Sequence, residues 1–181
     1  MTGPAVVPAD RPLSARLARW RVPVGFVCGL AVLWLARPTA GSIAVGGAIA
    51  LVGEAIRVWA AGHLEKGREV TCSGPYRWTA HPLYVGTTVM GIGLAIAAQS
   101  LPVAILAALY LGTMIPFAIR SEEATLRARF GARYDEYRRG VVVDRERPFS
   151  WARVMRNREY RALVGFVVVM TLLLLKLGVR S

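Results

Sequence analysis

The chain is poor in the residues from which most soluble catalytic and metal sites are built. Its 181 residues include two histidines and two cysteines, and its 11 acidic residues face 23 Lys and Arg. Cys28 and Cys72 lie far apart and the histidines are scattered, so neither a disulfide framework nor a metal-ligand spacing can be written, and no metal is expected. Two lone thiols suit a reducing compartment. The formal charge of +12 comes without an aromatic-interleaved basic fold or a finger motif, so no nucleic-acid partner is expected. The short periodic stripes of a soluble domain are also missing.

What the chain has instead is long apolar blocks, 55% hydrophobic residues and a mean hydropathy of +0.43. That reads as an all-α, polytopic helical membrane protein with about five transmembrane helices, one helical hairpin and a cytoplasmic amphipathic helix. Residues 1–21, Pro-rich and then basic, form a flexible tail; 22–161 form the membrane domain; 162–181 add a C-terminal span. Val22–Ala36 is short for a crossing, but Trp20, Arg21 and Arg37 flank it suitably. Pro38-Thr39-Ala40 weakly resembles a signal-peptide cleavage site, yet the further spans favour a retained helix. Ser42–Ala61 is rich in small residues that permit close packing. Leu83–Ile119 is too long for one crossing and breaks at Gln99-Ser100-Leu101-Pro102, and Ala162–Val179 completes the set.

The distribution of Arg sets the orientation. Segment 120–161 holds twelve Arg against seven acidic residues, a net of +5, and loop 62–82 holds Lys66, Arg68 and Arg77. The hairpin at 99–102 is uncharged. The positive-inside rule then puts the amino terminus and both charged segments in the cytoplasm of a bacterial inner-membrane protein, with anionic headgroups as partners. Lys176 and Arg180 near the other terminus weigh mildly against this.

Two polar signatures flank the hairpin. The first is Gly74-Pro75-Tyr76 followed by His81-Pro82-Leu83-Tyr84-Val85-Gly86; the second begins at Arg120-Ser121-Glu122-Glu123. Glu122–Arg139 is predicted as one helix whose stripe, Leu126, Phe130, Tyr134 and Tyr137, suits a membrane surface. Glu123–Arg127 and Asp135–Arg139 are its expected i,i+4 pairs. Each motif alone is weak, but the hairpin returns both to one side of the membrane.

With Phe130-Gly131-Ala132-Arg133-Tyr134-Asp135-Glu136-Tyr137 added, the chain resembles the isoprenylcysteine carboxyl methyltransferase and phospholipid methyltransferase superfamily of integral-membrane enzymes. The resemblance covers roughly residues 50–148 and includes the stretch from Arg57 to Lys66. It implies S-adenosyl-L-methionine as cofactor, with Tyr76, His81, Pro82, Tyr84, Glu122 and Glu123 at its site and backbone near Val70 and Thr71 closing over it. It implies methyl transfer to a lipophilic, membrane-soluble small molecule. Displacement at a sulfonium-activated methyl mainly requires alignment and exclusion of water, so no general acid–base pair is expected and no catalytic residue is assigned.

The chain departs from the family in one place. Carboxyl-methylating members carry Arg before His-Pro, where Ala80 stands here, and Ala118 replaces another expected Arg. Arg57 and Arg120 are the remaining candidates to meet an acidic substrate. Two other readings stay open. An NADPH-dependent lipid or steroid reductase would need a phosphate loop, but Gly86 and Gly91-x-Gly93 lie inside a span. A non-catalytic membrane scaffold would need no cofactor.

Overall fold

The computed structural model describes residues 29–30, 32–141 and 147–180, and among these there is no β-strand. The tail and most of the expected first span, Val22–Ala36, lie outside the described residues. So does Cys28. Residues 32–35 are helical (α1). They are followed by α2 (Ala40–His63), a 3-10 turn (Gly74–Arg77), α3 (Pro82–Ala98), α4 (Leu101–Phe130), α5 (Ala132–Arg138), α6 (Trp151–Arg156) and α7 (Tyr160–Arg180). The long apolar helices α2, α4 and α7 are of membrane-crossing length and composition, and α3 is a shorter apolar helix. The protein is therefore an all-α membrane protein.

Local chemistry sets the helix ends. Thr39 caps α2 by accepting from Ser42 N at 3.1 Å, while Ser42 Oγ accepts from Thr39 N at 2.9 Å, a reciprocal capping box. Pro82 opens α3 at a position where a missing N–H is harmless. Gln99 turns the chain with φ +47°, and α4 starts two residues later, so the hairpin falls where the sequence placed it.

The closest packing is between α2 and α3. Gly46 and Gly53 on α2 face Gly93 and Gly86 on α3, seven residues apart on each helix. A Cβ on Gly53 would come within 2.7 Å of the Gly86 carbonyl oxygen, and one on Gly86 within 2.7 Å of that of Gly53. The small residues thus let the two backbones touch, as lipid-embedded helices require in the absence of a hydrophobic drive between them. Leu173 of α7 joins Ile43, Ala97, Ala98 and Val103 in the buried cluster at the far end. Lys176 donates to the Trp34 carbonyl at 2.8 Å and to that of Leu33, so its charge is spent on the free carbonyls ending α1.

One expectation is corrected. The stretch 122–139 is two helices, because Gly131 takes φ +52° between α4 and α5. The stripe survives the break, but it faces protein: Tyr134 is buried with Val70 and Cys72, and Leu126, Phe130 and Tyr137 pack around them. Asp135 pairs through its carboxylate with Arg127 at 3.1 Å, while Arg139 donates to the Asp135 backbone carbonyl instead.

Candidate functional site

The two signatures meet at one end of the helices, and each is positioned by a specific local device. Gly74 has φ +58°, and a Cβ there would lie 2.6 Å from the buried His63 ring, so only glycine lets the Gly-Pro-Tyr turn settle on the end of α2. His63 is fixed in turn, its Nδ1 lying 3.0 Å from the Trp59 carbonyl. The turn leaves Tyr76 buried, and its carbonyl accepts from the Tyr137 hydroxyl at 2.7 Å.

His81 is the N-cap residue of α3, and its carbonyl accepts from the amides of Tyr84 and Val85. Its ring lies 5.9 Å from that of Tyr84. Its Nε2 lies 3.1 Å from Glu123 Oε1, linking the first signature to the second. Glu123 is also within 3.4 Å of Arg138 Nη2 and 3.6 Å of Arg127 Nη1. The neighbouring Glu122 is exposed. Burial pushes the Tyr76 phenol above its ordinary range, and the nearby Glu122 carboxylate adds to that push. The same desolvation raises Tyr137. Both phenols therefore stay neutral and able to donate at physiological pH.

The positions singled out from sequence do not all converge. His81, Tyr84 and Glu123 come together, and Tyr76 lies close enough to Glu122 to feel its charge. Val70 and Thr71 are buried beneath: Val70 packs on Tyr134, and Thr71 Oγ1 accepts from Glu65 N at 3.2 Å. Pro82 is buried at the start of α3. Arg120 is exposed on α4. Arg57 belongs to a different network. It lies 2.5 Å from Glu159, bonds Thr87 and sits 3.8 Å from Glu54.

That network and the Tyr137 bond were not read from sequence. A carboxylate inside an apolar span, such as Glu54, is itself a signal because it is costly unless partnered. Tyr137 was legible only as one member of a packing stripe. Among the described residues, no three His, Cys, Asp or Glu side chains gather as metal ligands.

Residues 42–133 match the phospholipid methyltransferase family. The chain is 32% identical over 151 residues to the nickel-cobalt-cadmium resistance protein NccN of Alcaligenes xylosoxydans xylosoxydans, covering 75% of this chain and 68% of that one. It is 31% identical over 134 residues to the cobalt-zinc-cadmium resistance protein CzcN of Cupriavidus metallidurans, covering 68% and 60%. No solved structure matches the chain. The family match spans both signatures and the hairpin between them, and the chain belongs to the phospholipid methyltransferase family, within the isoprenylcysteine carboxyl methyltransferase-like superfamily.

Proposed function

We propose that the chain transfers a methyl group from S-adenosyl-L-methionine to a lipophilic, membrane-dissolved small molecule at the cytoplasmic rim of a bacterial inner membrane. The observation that carries this reading is the 3.1 Å contact between His81 and Glu123, which joins the two halves of the family signature across the hairpin. The cofactor, when bound, supplies a methyl group activated by a sulfonium. The residues at the rim fit such a molecule. Glu122 presents an exposed carboxylate to a cationic or hydroxyl group, and Tyr84 and His81 lie side by side with donor groups. Tyr76 offers a neutral phenol and an aromatic face.

Glu123 is a positioning residue in this reading. Its carboxylate is occupied by His81, Arg127 and Arg138, so it fixes the imidazole rather than meeting a ligand. The protein's contribution is alignment and shelter from water: the buried turn at Tyr76 and the Tyr134 cluster close one wall, and the bilayer delivers the acceptor from the side. The metal-resistance names of the two relatives supply a setting for such a reaction; a modified membrane component is the product that this arrangement favours.

The test is calorimetry of the detergent-purified chain with S-adenosylhomocysteine and, separately, with NADPH, followed by transfer of labelled methyl to a membrane-lipid extract. Binding of S-adenosylhomocysteine with methyl incorporation is expected. Binding of NADPH alone would replace this reading with a reductase, and binding of neither would leave a scaffold.

A further inference from the structure

Away from the signatures, a cleft at the same end of the helices has a largely cationic lining. Glu65, Lys66 and Arg68 of the loop leaving α2 face Arg156, Asn157 and Arg158 of the turn between α6 and α7, around a volume of about 360 Å³. Four cations and one carboxylate leave a local excess of three positive charges. The carboxylate is already engaged, with Glu65 Oε1 2.8 Å from Arg156 and 3.8 Å from Arg153. Lys66, Arg68 and Arg158 are exposed, with no carboxylate in ion-pair contact among the described residues.

The frame around these cations is built rather than incidental. Asn157 Nδ2 donates to the Ala61 and Leu64 carbonyls at 2.9 and 3.0 Å, and Arg153 Nε donates to the Gly62 carbonyl at 2.6 Å. These bonds lock the α6–α7 turn onto the end of α2. Arg158 itself holds φ +59°, where Gly or Asn is the ordinary helix-terminating residue. The turn closes through Arg158 N to the Met155 carbonyl at 3.0 Å and Glu159 N to the Val154 carbonyl at 3.2 Å. A guanidinium is therefore kept at a position that backbone sterics would give to glycine.

Depth identifies the medium. Exposed Trp59 and Trp78 are in ring contact, and Trp59 continues through His63 and Phe149 to exposed Trp151, forming an aromatic rim beside the cleft. Tryptophan concentrates at headgroup level, and the spans α2 and α7 end there. Guanidinium forks match the paired oxygens of a phosphate.

We infer that the cleft binds the phosphate of an anionic membrane lipid, at a site separate from the methyl-transfer centre and for a lipid that is not the methyl acceptor. The probe is fluorescent phosphatidylglycerol in detergent micelles with the full chain, competed by unlabelled phosphatidylglycerol, phosphatidylcholine or inorganic phosphate. Saturable binding displaced by phosphatidylglycerol alone is expected. Arg68→Gln/Arg158→Gln should weaken it about 10-fold or more, the scale of lost charge-assisted hydrogen bonds. Arg133→Gln/Arg139→Gln removes the same charge around α5 and should change it less than about 2-fold, as screened remote charges do. Lys66→Gln, at an exposed loop position, gives an independent reading if the double variant fails to fold, and should also weaken binding. Equal losses in the two double variants, or no loss in Lys66→Gln, would reduce the cleft to diffuse surface attraction. Displacement by inorganic phosphate as effective as by lipid would overturn the lipid assignment.

Discussion

Tyr137 donates its hydroxyl to the Tyr76 backbone carbonyl across 2.7 Å, joining residues 61 positions apart. The bond pins the Gly-Pro-Tyr turn beneath α5, so the last residue of the Phe-Gly-x-x-Tyr-x-x-Tyr stretch holds the first signature in place. The two parts of the family pattern are thus coupled mechanically, independently of any ligand.

Tyr137→Phe keeps the ring and removes this bond, leaving the Tyr76 carbonyl without its donor. A loss of about 1–3 kcal/mol is expected, read as a lowered thermal midpoint in detergent. The alkaline limb carries a second signature. Burial raises the Tyr76, Tyr134 and Tyr137 phenols above the ordinary value of about 10, so the folded state retains protons that the unfolded chain releases. Stability is then full below about pH 10 and falls as pH rises beyond it. Tyr137→Phe should make that fall shallower; an unchanged alkaline slope would show that its phenol does not contribute.

The adjacent carboxylates should separate cleanly. Glu122→Gln is expected to weaken S-adenosylhomocysteine binding by about 1.5–3 kcal/mol with the melting midpoint unchanged, because Glu122 is exposed. Glu123→Gln should lower the midpoint, because it loosens the clasp to His81, Arg127 and Arg138. Calorimetry and melts on both variants decide it. The opposite pattern would exchange the two roles.

How much of this was legible in sequence depended on range. The hairpin turn at Gln99, the spans 42–61 and 162–179, and the packing role of Gly86 and Gly93 follow from local hydropathy and small-residue spacing, and α2, α3 and α7 bear them out. The break at Gly131 was hidden because an apolar stripe at helical spacing runs through it, and periodicity does not register one positive-φ residue. The partner of that stripe was also hidden. Whether Leu126 and Tyr134 face lipid or the 70–72 loop is set by a fold in a loop with little pattern of its own. In the sequence Arg57 was a candidate to meet an acidic substrate; its partner Glu159, which engages it instead, lies 102 positions away.

The α2–α3 contact should be intolerant of a single methyl. Gly53→Ala brings a Cβ against the Gly86 carbonyl and Met90 backbone, and should destabilise by about 1–3 kcal/mol. Gly112→Ala, in α4 with nothing within 4 Å of the added carbon, should be neutral or slightly stabilising. Paired thermal melts test this, and equal midpoints would mean that the helices separate freely.

Orientation can be read by labelling. Lys66 is exposed on the loop after α2, and Leu101 is 73% exposed at the hairpin, whereas Ser73 is buried and would not report. In a chain with both native cysteines replaced, an impermeant thiol reagent outside intact cells should label Leu101→Cys and spare Lys66→Cys. The reverse pattern would invert the proposed topology.

The acceptor is expected to lack a free carboxylate. Ala80 and Ala118 stand where the carboxyl-methylating enzymes that the chain resembles carry Arg, and one of the two remaining candidates is spoken for: Arg57 is bound to Glu159 and Thr87 and lies beside Glu54. Arg120 is exposed, where solvent screens its charge. A prenylcysteine carboxylate entering a water-poor rim would lose hydration without a paired cation, at several kcal/mol. An amine, thiol or phenol on a membrane-soluble compound avoids that loss. Methyl transfer from labelled cofactor to a panel of such compounds should therefore exceed transfer to a farnesylcysteine analogue. Ala80→Arg should raise the farnesylcysteine rate selectively, because it restores the cation next to His81. Strong turnover of farnesylcysteine by the unaltered chain, with no gain from Ala80→Arg, would mean that Arg120 or a released Arg57 serves the carboxylate. Arg57→Gln and Arg120→Gln, assayed on the same substrate, would then identify which.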